Sequence, residues 1–165
     1  MDAERLIQLL DLVPHPEEGG YFRETWRSDL DVEPGEPYRG RRPAGTAIYY
    51  LLTPDTCSAL HRLPGDEVFH FYLGDPVRML LLGPGGRAER VVLGPDPERM
   101  ELQHVVPGGT WQGSRLVPGG RWALLGTTMA PGFAPEDYEP GSAELADAYP
   151  DLREGILALL PGGGA

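Results

Sequence analysis

The stretch Ala59-Leu60-His61-Arg62-Leu63-Pro64-Gly65-Asp66-Glu67, followed after six intervening residues by Gly74, decides how this chain is read. Proline and glycine at Pro64-Gly65 set the backbone angles of a turn, so the flanking runs read as two adjacent strands. Side chains alternate across a strand, which puts Ala59, His61 and Leu63 on one face and Glu67, Phe69 and Phe71 on one face of the next. If His61 points into a small β-barrel, Glu67 can meet it there. An imidazole and a carboxylate together suit zinc, nickel, manganese or ferrous iron. They equally suit proton transfer on a sugar or a small acid.

Working outward, the same short apolar runs recur over 20–27, 46–53, 57–63, 67–73, 77–82, 87–93, 102–106, 111–117 and 122–130. Breaks such as Gly83-Pro84-Gly85-Gly86 and Pro118-Gly119-Gly120 separate them. Strands at this spacing read as a sandwich or barrel. Before them, Leu6, Leu9, Leu10 and Val13 recur at helical spacing over 2–12, with Asp2 able to cap the start. Pro14-His15-Pro16 ends that helix, and His15 reads as a loop residue. The segment 29–43 is a charged, proline-bearing loop able to cover a barrel mouth. After the last strand, Ser142 can cap a helix over 143–148, and Pro150 opens a second segment carrying Leu152, Ile156, Leu159 and Leu160. The tail 161–165 is expected to be flexible.

Length and composition fit one domain, 1–165, with the barrel over about 20–133 and helices over about 2–12 and 142–160. The 23 glycines and 18 prolines fall between apolar runs, as turns in a β-rich chain do. A formal net charge of −11 argues against nucleic acid or an anionic membrane as partner, since both need a basic surface. The single cysteine, Cys57, excludes an intrachain disulfide and reads as a small core residue. No run approaches the roughly twenty apolar residues of a membrane span, and a cytoplasmic protein is expected.

The residues resemble the cupin superfamily. Its first motif places a His-x-His before a Glu and a Gly; His61, Glu67 and Gly74 match, but Leu63 stands where the second histidine belongs. Its second motif is Pro-x-Gly, two residues, then His; Pro107 and Gly109 match, but Gln112 replaces the histidine. Four further blocks are similar to the cupin subfamily formerly listed as domain of unknown function 985. They are His15-Pro16-Glu17-Glu18-Gly19-Gly20-Tyr21-Phe22-Arg23-Glu24-Thr25, Ile48-Tyr49-Tyr50-Leu51-Leu52, Asp66-Glu67-Val68-Phe69-His70-Phe71-Tyr72 with Gly74-Asp75-Pro76, and Ala130-Pro131-Gly132-Phe133. The resemblance implies a mainly β fold, a double-stranded β-helix (jelly-roll) barrel with one N-terminal helix and C-terminal helices packed outside. It implies a homodimer, to which the aromatic strand 20–27 would lend its hydrogen-bonding edge. It implies no particular reaction.

The expected site is the barrel interior, with His61 and Glu67 catalytic and Phe69, Phe71 and Gln112 lining the pocket. The motif positions also make His61, Glu67 and Gln112 the metal donors. Leu63 cannot coordinate and Gln112 offers only an amide oxygen, so either no metal or a weakly held divalent ion (Zn, Ni, Fe or Mn) is expected. His70 and Tyr72 have the opposite parity to Glu67 and should face outward, unless a bulge after Asp66 turns them in. Arg23 is a candidate clamp for a carboxylate or phosphate, and Tyr50 or Tyr72 a candidate acid.

Three readings remain open. One is an isomerase or epimerase acting by proton transfer on a sugar-like or carboxylated metabolite in the barrel, with His61 as base. The second is a metal-dependent oxygenase, isomerase or hydrolyase; the third is a non-catalytic metabolite-binding module.

Overall fold

The computed structural model describes residues 1–161, so most of the tail expected to be flexible, 162–165, lies outside the described residues. In chain order the strands are β1 (Val13–Pro14), β2 (Tyr21–Arg27), β3 (Asp31–Val32), β4 (Arg42–Pro43), β5 (Thr46–Leu52), β6 (Ser58–Arg62) and β7 (Glu67–Gly74). There follow β8 (Val77–Leu82), β9 (Ala88–Leu93), β10 (Gln103–Val106), β11 (Trp111–Leu116), β12 (Ala123–Met129) and β13 (Glu139–Pro140). Each run read as a strand forms one, to within a residue at either end. The two-residue strands β1, β3, β4 and β13 have too little alternation to announce themselves.

The strands build two facing sheets, β1-β2-β5-β12-β7-β10 and β13-β6-β11-β8-β9, in the jelly-roll manner. Their inner faces meet in one apolar core: Tyr50, Phe69 and Leu125 from the first sheet pack with Val77, Met79, Leu81, Val91 and Leu116 from the second. The outer faces are covered by helices. Leu6 and Leu12 rest on the outward Leu51 and Leu124 of the larger sheet. Ala146, Ile156 and Leu159 rest on the outward Leu60, Leu80 and Leu82 of the smaller one.

The helices are shorter than the sequence suggests. The first, α1, spans Ala3–Leu9, with Asp2 accepting from the Arg5 N–H as its cap, and it stops because Asp11 turns left-handed at φ 50°. The helix expected over 143–148 is α2, Leu145–Ala148, and Ser142 does not cap it: its hydroxyl donates to Glu144 instead. Next comes a 3-10 turn, Pro150–Leu152, then α3, Arg153–Leu157. The loop expected over 29–43 carries the β3–β4 hairpin. Its last strand holds Arg42, which forms a buried ion pair with Asp137 and so ties down the segment leading to Tyr138. No helix among the described residues is long and apolar enough to cross a membrane.

Candidate site at one end of the barrel

β6 and β11 pair in a register that sets His61 beside Gln112. Both side chains are buried, and β7 brings Glu67 to them from the opposite sheet. The Gln112 side-chain amide donates to Glu67 Oε2 at 2.7 Å. Burial penalises the charged form of Glu67, and the nearby Glu18 charge adds to that. Together they outweigh the opposing effects of His61, Thr127 and Gln112 and push the Glu67 carboxyl up to about 7. The His61 ring stacks against Tyr138, with centroids 5.1 Å apart. Its Nδ1–H donates to the Ala59 carbonyl at 2.7 Å, which fixes the orientation of the ring.

Its Nε2 faces Glu18 Oε1 at 3.6 Å. Glu18 is the central residue that reading the sequence missed, together with His15. Two left-handed glycines, Gly19 (φ 86°) and Gly20 (φ 69°), let the chain turn from the loop into β2. A Cβ at Gly19 would lie 2.7 Å from the Cys57 carbonyl oxygen, so the approach to the loop before β6 is closer than any side chain permits. The turn carries Glu18 inward, where Oε2 accepts from the Ser58 hydroxyl at 3.1 Å. It also points the Gly19 carbonyl at Tyr50, whose hydroxyl donates to it at 2.8 Å. His15, expected as a loop residue only, sits over Phe22, and its Nδ1 accepts the Glu18 N–H at 3.0 Å. Burial lowers its imidazole below the ordinary value, so the ring is neutral at pH 7 with its proton on Nε2. The signal available in the sequence was Glu18-Gly19-Gly20 itself, since paired glycines after a proline break mark a forced turn.

Glu18 and Glu67 open on one narrow cavity of about 60 Å³, walled by Phe22, Ile48, Leu63 and Phe133. His61 does not line it. The imidazole sits behind Glu18, which corrects the expectation that His61 itself presents a base to the pocket.

The remaining candidates divide by face. Tyr50 and Phe69 are buried in the core beneath the site, and Phe71 packs against that core. Tyr50 is an unsuitable acid: its proton is committed to Gly19, and burial raises its hydroxyl well above the ordinary value. His70 and Tyr72 lie on the outer face, so neither touches the cavity. β7 pairs regularly with β10 from Glu67 to His70, and its irregularity comes only at Tyr72, too late to turn His70 inward. There His70 Nε2 meets the Thr128 hydroxyl at 3.1 Å, and the Tyr72 ring lies over Gly126. Arg23 also lies outside, over the Tyr49 ring and 3.9 Å from Asp11, so it cannot clamp a ligand in the barrel.

The donors do not fit a cupin-type metal centre. Of four ligand positions, Leu63 has no donor and Gln112 has its amide nitrogen on Glu67. His15 has its Nδ1 lone pair occupied by backbone N–H groups and a proton on Nε2. One available imidazole remains, and no group of three His, Cys, Asp or Glu close enough to hold an ion occurs among the described residues.

Comparisons with known proteins agree with this architecture. An uncharacterized protein of Saccharomyces cerevisiae is 33% identical, over 95% of this chain and 85% of its own. The solved structure of a hypothetical protein from Leishmania major superposes with a TM-score of 0.87 at 34% identity, covering 97% of this chain and 99% of that one. Oxalate decarboxylase from Bacillus subtilis, whose solved structure has Mn(II) centres, shares the fold at a TM-score of 0.54 and 18% identity, over 94% of this chain and 39% of that one. The family model described as Cupin superfamily (DUF985) matches residues 4–140, and the chain belongs to that family.

Proposed function

We propose that the protein is a small-molecule enzyme of isomerase or epimerase type, moving a proton on a metabolite held in the barrel cavity. The observation that carries the reading is the pair of carboxyl groups on that cavity. Glu67 is pushed up to about 7 and so can hold a proton near neutrality, and Glu18 faces the same cavity. A buried carboxyl group that keeps its proton can act as acid while a second carboxyl group beside it acts as base.

The step balances as follows. Glu18 Oε1 takes a proton from a carbon next to a carbonyl, and the C–H electron pair moves into that carbonyl. Glu67 gives its proton to the carbonyl oxygen. The resulting enol regains a proton at the same or the neighbouring carbon, and Glu67 recovers its own. His61 acts through Glu18: a proton on its Nε2 would hold Oε1 in place, and the Ala59 carbonyl keeps the ring oriented. Tyr138 closes over the imidazole and shields it from water. No step runs through a metal, because the donor set does not suit one.

The test is hydrogen exchange in D₂O. Short hydroxy and amino aldehydes and ketones are incubated with the full chain, and loss of the carbon-bound proton is followed by NMR. Exchange that Glu67→Gln and Glu18→Gln each slow by about a hundredfold supports the reading, since a positioned acid or base contributes ~10²–10⁴ in rate. Compounds that bind without exchanging would instead favour the non-catalytic metabolite-binding module.

The assembly we propose is a homodimer. β1 covers the outer edge of β2 only at Tyr21 and Phe22, leaving Arg23 to Arg27 open among the described residues. Trp26, Tyr72 and Val105 add exposed apolar surface on the same sheet. Sedimentation should show about twice the 18.0 kDa chain mass at micromolar concentration; a species of chain mass alone would overturn it.

A further inference from the structure

We propose that a groove on the outer face of the smaller sheet is a second binding site, which takes a short aliphatic chain ending in a phosphate monoester. It shares no lining residue with the barrel cavity and stands apart from the reaction proposed there.

The groove follows from the register of three strands. β11 and β8 set Arg115 directly opposite Arg78, while β9 sets Val92 opposite Arg78 and Arg90 opposite Leu80. Opposed residues share a face, and Leu80 lies on the outer one, packed with Ile156 and Leu159. By the same alternation all three arginines project from the outer side. Together with Gly155 of α3 and the Ala158-Leu159 pair that follows it, they enclose a groove of about 390 Å³. Its walls between the arginines are aliphatic, and an apolar cleft of this size with a few charged groups is the usual build of a small-molecule site.

The charges name the occupant. Like charges directly opposite one another destabilise a pair of strands. Seven other arginines, from Arg23 to Arg153, each lie against a carboxylate. Arg78, Arg90 and Arg115 form no ion pair among the described residues, although the chain has 25 carboxylate side chains to 14 basic ones. Three unpaired guanidinium groups at one groove call for an anion from outside the chain. A phosphate monoester brings about −1.5 to −2 charges and three oxygens, which several planar guanidinium forks can share. A chain of net charge −11 is repelled by an anionic bilayer, so the ester is a soluble one and not a membrane headgroup.

Gly155 supports the same reading independently. It sits inside a helix, where glycine is weaker than alanine, and its backbone is not left-handed. A Cβ there would meet only Leu80 Cδ2, at an ordinary 3.6 Å. Packing therefore does not demand glycine; the missing side chain leaves the groove open.

Isothermal titration calorimetry of the full-length protein at pH 7.5 tests this with hexyl phosphate, 1-hexanol, hexanoate and inorganic phosphate. Hexyl phosphate should bind roughly tenfold or more tightly than hexanol or inorganic phosphate, with hexanoate between, since hydrogen bonds to charged groups are the stronger ones. Arg78→Gln, at an exposed position, should weaken hexyl phosphate about tenfold, and Gly155→Leu, which fills the groove without removing charge, at least as much. Arg23→Gln makes the same charge change on the other sheet and should leave binding within about twofold. Equal binding of hexyl phosphate and inorganic phosphate would mean an adventitious ion only and overturn the proposal. Equal binding of hexyl phosphate and hexanol would overturn it too, as would binding that Arg78→Gln and Gly155→Leu leave unchanged. Tighter binding of hexaglutamate would assign the groove to an acidic peptide instead. The ranking on the unmodified protein decides by itself if a variant fails to fold, and D₂O exchange in the barrel is read separately from all of these.

Discussion

The two ends of the barrel interior are made from the same strands and behave oppositely. At one end, Val77, Leu93, Ala123, Leu125 and their neighbours exclude water completely and pack as an unbroken apolar core. At the other, those strands carry Glu67, His61 and Gln112, with Glu18 brought in from the loop before β2, and two buried polar atoms, His61 Nε2 and Gln112 Oε1, go unpaired. The apolar end holds the fold. The polar end costs stability, since burial has raised a carboxyl group to about 7 and left polar atoms without partners. A fold keeps such an arrangement where chemistry or binding needs it.

That contrast can be broken by substitution. The largest effect belongs to the apolar end: Leu125→Ala, at a fully buried position, should cost about 3–5 kcal/mol in urea unfolding, because the cavity it leaves cannot collapse between two sheets. A loss under about 1 kcal/mol would mean that end is loosely packed.

Next in size is Glu67→Gln, which should stabilise the protein at pH 8. The sign follows from linkage. The folded carboxyl holds its proton to about 7 while the unfolded one releases it near 4.5, so the folded state binds more protons between those values. Stability is therefore full below about pH 4.5 as far as this group is concerned, and falls as pH rises through 7. Removing the titrating group should recover on the order of 2–3 kcal/mol at pH 8, a little less than the shift implies. It should recover none at pH 4. A variant less stable than wild type at both values would show that the Glu67 carboxylate is well solvated after all.

The smallest effect is predicted outside the barrel. Tyr72→Phe should change stability by no more than ~0.5 kcal/mol and leave ligand binding unaltered, since its half-exposed side chain lies over Gly126 on the outer face and does not line the cavity. A binding defect in this variant would place β7 in the opposite register.

Much of this was legible in the sequence, and the division is physical. Proline and glycine fix turn angles locally, so the ends of the long strands could be read from positions such as Pro64-Gly65. Period-two alternation carried His61, Glu67 and Phe69 to the inside and His70 and Tyr72 to the outside. Glu18 and His15 were missed because they belong to an irregular loop, where no period exists to report a side chain's direction. The contact of Glu18 with Ser58 joins residues forty positions apart and depends on backbone angles at Gly19 and Gly20. The two helical segments expected at the C-terminus came out shorter for a related reason. Apolar spacing marked the right face, but Pro150 interrupts it and Ser142 bonds Glu144 rather than the helix start.

The most direct test of the paired-carboxyl account is a ¹³C-NMR titration of the Glu67 side-chain carboxyl in the full-length protein, with and without Glu18→Gln. The account predicts a wild-type midpoint near 7 that moves down once the Glu18 charge is gone, because that charge is the second cause of the shift after burial. A wild-type midpoint close to 4.5, or one unmoved by Glu18→Gln, would contradict it.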